Sequence, residues 1–555
     1  MKESTIGAVL MFAAGSALAQ APSDEEIRKI LEQRIDVARQ SVGIVVGVVE
    51  PAGKRIVAYG ALDQGDLRPL NGDTVFEIGS VTKVFTSLLL ADMEEHHEVA
   101  LTDPVAKYLP AGVKMPERGG RSIELEDLAT HTSGLPRLPT NLAPKDLTNP
   151  YADYTVEQLY QFLSTYTLTR DIGERYEYSN LGGGLLGHVL ARRAGMDYEA
   201  LVRARITGPL GMNSTVITLT PELKARLAPG HDATLHRAAN WDLPTLAGAG
   251  ALRSTANDML TFIAANLGYV KTPLAPAMAL MLTVRRPTGV SNLEIALGWH
   301  IDTRFGADIV WHNGGTGGYR SFTGYNPKTR VGVVVLSNTS TTAGVDDIGF
   351  HLLDARYKLI ESRAHTEITL DPKSFDSLLG RYQLAPNFLL DITRDGDHLF
   401  AQATGQGKAE IFPEAAREFF YKVVDAQISF QTDSQGRATA LTLHQNGRDL
   451  PAPRIGDAPA PKQHKEVAVD PKLFAGYVGR FQLAPNFVLE ITTESGHLFG
   501  QATGQPKLEL FAEGEKDFFL KAVDAQITFE TDGQGKATSL ILHQNGADVQ
   551  AKRVP

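Results

Sequence analysis

The sequence predicts an α+β fold followed by two small all-β domains, on the basis of two observations. Between about residues 25 and 365, strand patterns at both ends enclose a helix-rich middle. This order is typical of an antiparallel sheet flanked by helices, with an all-α subdomain inserted into it. Residues 371–450 and 470–549 are identical at 49 of 80 positions when they are aligned at an offset of 99 without a gap. Such a match indicates an internal duplication, and 555 residues are too many for one hydrophobic core.

The first 19 residues have the pattern of a signal peptide. Lys2 supplies the charge, Ile6 to Ala14 form the apolar region, and Ala17-Leu18-Ala19 is a small-x-small cleavage site. The charged region is thin and carries Glu3, so a disordered cytosolic tail is the alternative. No later segment approaches the ~18 apolar residues of a membrane span. We therefore expect a mature protein without a membrane span, periplasmic or secreted.

Composition excludes several classes of function. The net charge of −10 argues against a nucleic-acid partner. The absence of cysteine excludes disulfides, thiolate catalysis and zinc–thiolate sites. None of the 15 histidines forms a His-Glu-x-x-His motif, and we expect neither a metal nor an organic cofactor.

The elements of the first domain, residues 20–365, follow from hydrophobic periodicity. Glu25 to Gln40 is an amphipathic helix, and Val42 to Val49 is a buried strand that turns at Pro51-Ala52-Gly53 into a second strand, Lys54 to Tyr59. The later predicted helices are Thr155 to Leu163, Leu181 to Ala194 and Val345 to Glu361. The later predicted strands are Leu297 to Ile301, Ile309 to Trp311, Ser321 to Tyr325 and Val331 to Leu336.

The duplicated segments predict two small barrel-like domains, 371–455 and 470–555, joined by a linker from Gly456 to Val469. Alternating runs such as Ala426 to Thr432 and Ala438 to His444 are separated by short turns, which is typical of an all-β meander or barrel. Duplication preserves scaffold residues, so we interpret the repeated pairs His398/His497 and Asp425/Asp524 as structural. Two roles are open for the repeats. They cap the active site and limit substrate length, or they form a homodimer interface or a cell-surface contact.

The stretch from Glu77 to Phe85 contains the strongest candidate for chemistry. Gly79 ends a short strand, and Ser80, a favoured helix cap, opens an apolar helical run. Ser80 and Lys83 are three residues apart and therefore lie on one helical face. A serine hydroxyl needs a base, and a lysine is a base only where burial lowers its pKa. The alternative interpretation is a helix cap followed by a surface lysine.

Two further motifs follow Ser80-x-x-Lys83 in order. Tyr178-Ser179-Asn180 lies in a loop before a helix, and Trp311-His312-Asn313-Gly314-Gly315 lies at the end of a strand. No Gly-x-Ser-x-Gly elbow occurs. With these three motifs, residues about 25–365 resemble the penicillin-recognising serine hydrolases, a family of class C β-lactamases, D-Ala-D-Ala carboxypeptidases, D-aminopeptidases and related esterases. The stretch Thr130 to Pro136 is also similar to that family, and the resemblance implies a β-lactamase-like fold.

The resemblance implies a role for each matching position. Ser80 corresponds to the nucleophile, Lys83 shares its proton, and Tyr178 acts as general base and then as acid to the leaving group. Asn180 orients Lys83 and the substrate amide. The backbone N–H groups of Ser80 and Gly315 form the oxyanion hole.

The third motif departs from the β-lactamase pattern. β-Lactamases usually carry Lys-Thr-Gly, whereas this chain has His312-Asn313-Gly314. Histidine near neutral pH is mostly uncharged, so affinity for the carboxylate of a penicillin should be weaker. A His-x-Gly motif is common in the aminopeptidase and esterase branches, and one D-aminopeptidase branch also carries two C-terminal β-barrel domains.

The sequence therefore predicts an exported serine hydrolase that acts on a small peptide or amide substrate. It would form an acyl-enzyme on Ser80 and cleave amide bonds of short, linear or D-amino-acid-containing peptides. A β-lactamase and a carboxylesterase are the alternatives among enzymes. The alternative of another class is a sensor that is acylated once and binds β-lactam or peptide without turnover.

Overall fold

The computed structural model describes most of the chain from residue 21 onward. The described residues are 21–341, 343–360, 367–385, 388–404, 408–422, 426–445, 448–458, 465–484, 487–503, 507–521, 525–544 and 547–554. The predicted signal peptide and the repeated pair Asp425/Asp524 lie outside them.

An eight-stranded antiparallel sheet organises the first part of the chain, with the order β2-β1-β14-β13-β12-β11-β10-β9. Three two-stranded sheets accompany it, pairing β3 with β8, β4 with β5 and β6 with β7. The strands are β1 Gly43–Glu50, β2 Gly53–Gly60, β3 Val75–Glu77, β4 Glu117–Arg118, β5 Arg121–Ser122, β6 Gly230–His231, β7 Arg237–Ala238, β8 Arg253–Thr255, β9 Arg286–Pro287, β10 Leu293–Ile295, β11 His300–Asp302, β12 Ile309–Gly315, β13 Arg320–Asn326 and β14 Val331–Ser337.

Helices cover both faces of this sheet and fill the segment between β3 and β9. They are α1 Asp24–Glu32, α2 Thr82–Glu95, α3 Leu125–Ala129, α4 Val156–Thr165, α5 Asn180–Ala194, α6 Tyr198–Val202, α7 Pro221–Arg226, α8 Ala256–Asn266, α9 Ala275–Leu280 and α10 Asp346–Leu353. Shorter 3₁₀ and π turns are Gln33–Val37, Gly79–Val81, Val105–Tyr108, Arg203–Thr207 and Ala247–Ala249.

The sheet is buried on both faces, and β1 shows this residue by residue. Val45 and Val49 pack into the larger core, which also contains the buried residues of α2, α5 and α8. Ile44, Val46 and Val48 point the other way, into the core formed with α1 and α10. Side chains alternate along a strand, so a strand with two buried faces is apolar throughout. This is why Val42 to Val49 read as a buried strand.

Helix α2 is the most enclosed element of the first domain. Its residues Thr82 to Met93 are all buried, so it is hydrophobic on every side and lies in the centre of the core. The prediction that Ser80 caps this helix is wrong. Ser80 lies in the preceding 3₁₀ turn, the helix begins at Thr82, and Val81 occupies the capping position without a side-chain hydrogen bond. The hydroxyl of Ser80 is thereby left for other partners.

Two predicted boundaries near the third motif also differ from the structure. Strand β12 continues past Trp311 to Gly315, because Gly314 and Gly315 pair through their backbones with Ser321 and Arg320. Helix α10 ends at Leu353 rather than continuing to 361. Asp354 has an extended backbone, and its carboxylate accepts the Arg356 N–H, which starts a turn.

Each repeat forms a closed eight-stranded barrel, as the alternating pattern predicted. The first barrel consists of β15 Gly380–Ala385, β16 Phe388–Asp395, β17 His398–Ala403, β18 Ala409–Ala415, β19 Glu418–Tyr421, β20 Ala426–Thr432, β21 Ala438–Gln445 and β22 Arg448–Gly456. The second consists of β23 Gly479–Ala484, β24 Phe487–Glu494, β25 His497–Ala502, β26 Leu508–Ala512, β27 Asp517–Phe519, β28 Ala525–Thr531, β29 Ala537–Gln544 and β30 Ala547–Val554. The 3₁₀ turn Pro372–Ser377 precedes the first barrel, and the 3₁₀ turn Pro471–Leu473 and helix α11 (Phe474–Tyr477) precede the second.

Each barrel has its own core, centred on Tyr382 in the first and Phe481 in the second. The repeated histidines His398 and His497 are exposed and pair with Glu410 and Glu509 on the neighbouring strand. Over the part of the chain that the structure describes, no helix has the length and apolar character needed to cross a membrane.

Candidate active site

Ser80 and Lys83 face each other across one turn of chain, as their spacing predicted. The Lys83 Nζ lies 3.1 Å from the Ser80 Oγ. The lysine side chain enters the core of the first domain, and its residue is only 3% exposed. The alternative of a surface lysine behind a helix cap is therefore wrong.

Lys83 has two further partners, and both can only accept hydrogen bonds from it. Its Nζ lies 2.8 Å from the Asn180 Oδ1 and 2.6 Å from the Ala249 carbonyl oxygen. Burial, with a smaller contribution from the Arg137 charge, holds the pKa of Lys83 well below its usual value. Burial therefore favours the neutral amine over the ammonium form.

Tyr178 lies against the same amine. The Lys83 Nζ is 4.8 Å from the centre of the Tyr178 ring, and Ser80 is close enough to influence the pKa of the phenol. Burial raises the pKa of Tyr178 above its usual value, so the phenol keeps its proton at neutral pH. The His131 ring packs 4.5 Å from the Tyr178 ring, and the His131 Nδ1 accepts the backbone N–H of Ser179 at 3.1 Å.

The third motif is pressed against the turn that carries Ser80. Gly79 has φ +49°, and a Cβ at this position would lie 2.7 Å from the Gly315 backbone nitrogen. A Cβ on Gly314 would lie 2.0 Å from the Ile78 carbonyl oxygen. The Ser321 hydroxyl, on the neighbouring strand, donates to that carbonyl at 2.8 Å. The backbone nitrogen of Gly315 is therefore held close to the turn that carries Ser80.

His312 is fully buried in the middle of β12. Its Nδ1 lies 2.6 Å from the Asn313 carbonyl oxygen and must donate to it, which leaves the Nε2 as an acceptor. Among the described residues this Nε2 has no hydrogen-bond partner. Burial holds the pKa of His312 well below its usual value, and the neighbouring His300, 5.2 Å away, has its pKa lowered to about 4. The third motif thus offers a neutral acceptor in place of a cation.

The structure brings all seven predicted site residues together and adds groups that sequence reasoning did not assign. The Ala249 carbonyl leaves no trace in a sequence, because every residue has one. His131 stood inside a family-like stretch but carried no assigned role. His300 and Arg137 lie in no motif, and only the fold places them beside Tyr178 and His312. In the described part of the chain, no group of three His, Asp or Glu side chains is arranged to hold a metal ion.

Two protein-family models match the chain. The β-lactamase model matches residues 27–356, more than half of the chain. A domain of unknown function (DUF3471) matches twice, at residues 364–453 and 463–553. The first match covers the strands, helices and polar site described above.

Curated relatives and solved structures agree with the first match. The D-alanyl-D-alanine-carboxypeptidase/endopeptidase AmpH of Escherichia coli K12 is 32% identical over 317 residues, which is 54% of this chain and 80% of that protein. A β-lactamase of Lysobacter lactamgenus is 25% identical over 386 residues, which is 63% of this chain and 91% of that protein. The crystal structure of a β-lactamase/D-alanine carboxypeptidase from Yersinia pestis, complexed with citrate, matches with a TM-score of 0.53 and 26% identity, covering 61% of this chain and all of that one.

The chain belongs to the β-lactamase family and is a serine hydrolase of that family. Its fold is the β-lactamase-like sheet with helices, followed by two closed barrels.

Proposed function

We propose that the protein is an exported peptidase or amidase that forms an acyl-enzyme on Ser80. Its substrates would be short, linear or D-amino-acid-containing peptides. The family assignment supports the reaction class, and the observation that carries the proposal is the hydrogen bonding of Lys83.

A neutral lysine amine has two N–H donors and one lone pair. The Asn180 Oδ1 and the Ala249 carbonyl oxygen can only accept, so they take the two N–H groups. In the neutral amine the lone pair is left for the third neighbour, so in this scheme the Ser80 hydroxyl, 3.1 Å away, donates to Lys83. A hydroxyl that donates to a neutral amine is poised to lose its proton when it attacks a carbonyl carbon.

The proton then has a complete route. Ser80 attacks the substrate carbonyl while its proton passes to Lys83, and the backbone N–H groups of Ser80 and Gly315 stabilise the oxyanion. Tyr178, still protonated, donates its proton to the departing amine nitrogen, and the Lys83 ammonium restores the phenol. Water then attacks the acyl-enzyme along the same route in reverse. In this scheme Lys83 takes the proton during acylation, and Tyr178 acts as the acid rather than as the first base.

The third motif supports the preference for amides over β-lactams. A buried neutral imidazole cannot pair with a substrate carboxylate as a lysine would. A β-lactamase remains the second candidate, because one of the similar proteins carries that name. The proposal of export rests on the signal-peptide pattern of residues 1–19.

A turnover panel tests this function. It would contain nitrocefin, D- and L-aminoacyl anilides, a nitrophenyl ester and linear peptides, with the mass of trapped protein measured after quenching. We expect amide turnover with a kcat/KM above that for nitrocefin, and an acyl adduct on Ser80. The Ser80→Ala variant should lose both, whereas Ser164→Ala, on the exposed side of α4, should lose neither.

Three outcomes would contradict the proposal. Nitrocefin turnover that rivals peptide turnover would favour a β-lactamase. Turnover of the ester alone would favour a carboxylesterase. A Ser80 adduct that never turns over would favour a sensor.

A further inference from the structure

Arg137 is an exposed arginine beside Tyr178 of the active site. Hydrogen bonds hold the backbone around it in place. The Arg137 carbonyl oxygen accepts the N–H groups of Asn180 and Leu181 at 3.0 and 3.2 Å. The preceding carbonyl, of Pro136, accepts the Ser179 hydroxyl at 2.7 Å. The loop that carries Arg137 is thus tied to the second motif, so the position of the arginine is coupled to Asn180.

The guanidinium group points toward the reacting groups. Its central carbon lies 5.1 Å from the centre of the Tyr178 ring, the ring that also contacts the Lys83 amine. Its charge is among the influences on Lys83, Tyr178 and Tyr151. Among the described residues, no carboxylate lies within ion-pair distance of it. The charge therefore remains available to a ligand.

Burial lowers the pKa of the other basic groups around Tyr178 and His312. It thereby disfavours the charged forms of Lys83, His131, His300 and His312. An arginine, in contrast, stays protonated in proteins.

A second guanidinium near the oxyanion hole, that of Arg320, already has partners. Its Nε donates to the Thr341 carbonyl oxygen at 2.9 Å, and the Asp346 carboxyl is close enough to influence its charge. The Asp346 carboxyl also accepts the side-chain N–H of Asn313. Arg320 is thus less free to bind a substrate anion than Arg137.

We propose that Arg137 binds a carboxylate carried by the acyl portion of the substrate. Asn180 would orient the substrate amide and lies directly beside Arg137. The acyl portion of the substrate is therefore placed on this side of the cleft. A planar guanidinium matches a carboxylate with two parallel hydrogen bonds. The same charge repels a free ammonium group, so among amide substrates the N-terminally blocked peptides should be turned over faster than the aminoacyl anilides. The inference rests on the proposed function and names the charge of its substrates.

Two peptides of equal length test this inference. They carry an N-terminal block and differ only in Glu or Gln as the residue whose carbonyl is attacked. We expect wild-type protein to prefer the Glu peptide by roughly 10- to 100-fold in kcat/KM, the range of a hydrogen bond between charged groups. Arg137→Gln should bring this ratio near one, and Arg137→Glu should favour a third peptide with Lys at that residue. Arg203→Gln, a change of the same charge at another exposed arginine, should leave the wild-type ratio unchanged.

The ratio separates specificity from folding and from the proposed function. Both peptides are measured on one protein sample, so a loss of folded protein cancels. A wild-type ratio near one, or an Arg137→Gln ratio equal to wild type, would overturn the role of Arg137 while Ser80-dependent turnover remains. An absence of Ser80-dependent turnover of any substrate would instead overturn the proposed function.

Discussion

At the scale of single residues, burial shifts the pKa of the groups in the site toward their uncharged forms. Lys83 would be an ammonium in water, and its burial lowers its pKa and favours the neutral amine. Tyr178 keeps its proton for the same reason, since burial raises the pKa of a phenol. Burial therefore shifts a base and an acid in the directions that their proposed roles require.

Replacing the phenol of Tyr178 should separate amides from activated esters. An amine leaves only when it receives a proton, whereas a nitrophenolate leaves without one. We expect Tyr178→Phe to lower kcat/KM for an anilide by about 10²- to 10⁴-fold, and to lower that for a nitrophenyl ester much less. Steady-state kinetics on both substrates measure this, with Tyr160→Phe as the control, a half-buried tyrosine on α4 whose hydroxyl contacts His188. Equal losses on both substrates would contradict the role of acid to the leaving group.

The neutral state of Lys83 should also appear in the pH dependence of stability. The unfolded chain binds a proton at this lysine up to pH ~10.4, whereas the folded protein releases it well below that value. The unfolded state then holds the extra proton, so this group makes the free energy of unfolding rise with pH.

We therefore expect the wild-type free energy of unfolding, relative to that of Lys83→Met, to increase between pH 7 and pH 10. The slope is at most about 1.4 kcal/mol per pH unit. Denaturant unfolding at several pH values measures it. Lys114→Met, at an exposed lysine, is the matched control, and a flat difference for Lys83→Met would mean that its amine is charged in the folded state.

At the scale of elements, the site depends on how closely the Ser80 turn approaches β12. The turn comes from Gly79, whose positive φ lets the chain bend from β3 into the 3₁₀ turn. The strand contributes glycine at 314 and 315, so the two backbones meet without side chains between them. The proposed oxyanion hole therefore depends on the contact between the Ser80 turn and β12.

Gly79→Ala should damage both stability and activity. A non-glycine residue at φ +49° costs about 1–3 kcal/mol, and the new Cβ would displace the Gly315 N–H. We expect kcat to fall by about 10²-fold or more, the effect of losing one oxyanion donor. Gly195→Ala is the matched control, because Gly195 also has positive φ but has no atom near its Cβ position. It should lose stability and keep its kcat per folded molecule, and an equal loss of kcat in both variants would contradict this account of the turn.

At the scale of the whole molecule, the hydrophobic cores are separate. Among the described residues, the two cores of the first domain contain no residue beyond Leu359. Each barrel encloses its own core, and its strands close on themselves so that no edge is left unpaired. The first domain therefore has the packing that it needs without the repeats.

Deleting residues 371–555 should leave a folded hydrolase. We expect turnover of a nitrophenyl ester within about threefold of the full chain, because the catalytic groups and their cores are retained. The same two proteins should be compared on short and long linear peptides. A rise in the long-to-short ratio on deletion would show that the repeats limit substrate length, whereas an unchanged ratio would favour the role in a dimer or surface contact. Loss of ester turnover with retained folding would contradict the independence of the first domain.

The sequence alone determined the periodic and local features of this protein. Alternating and helical patterns located the helices and both barrels, because burial of one face imposes a period on the chain. A continuous apolar run located the strand β1, which is buried on both faces. The spacing of Ser80 and Lys83 determined that they would be neighbours, because three residues make almost one helical turn. The order of the three motifs pointed to the remaining site residues.

Only the tertiary structure decided the pKa values of those residues and which other groups surround them. The lowered pKa of Lys83 depends on burial by segments far away in the chain. His131, His300 and Arg137 reach the site through folding and not through spacing. A pKa depends on every group packed around a side chain, and packing of distant segments has no period that a sequence can display.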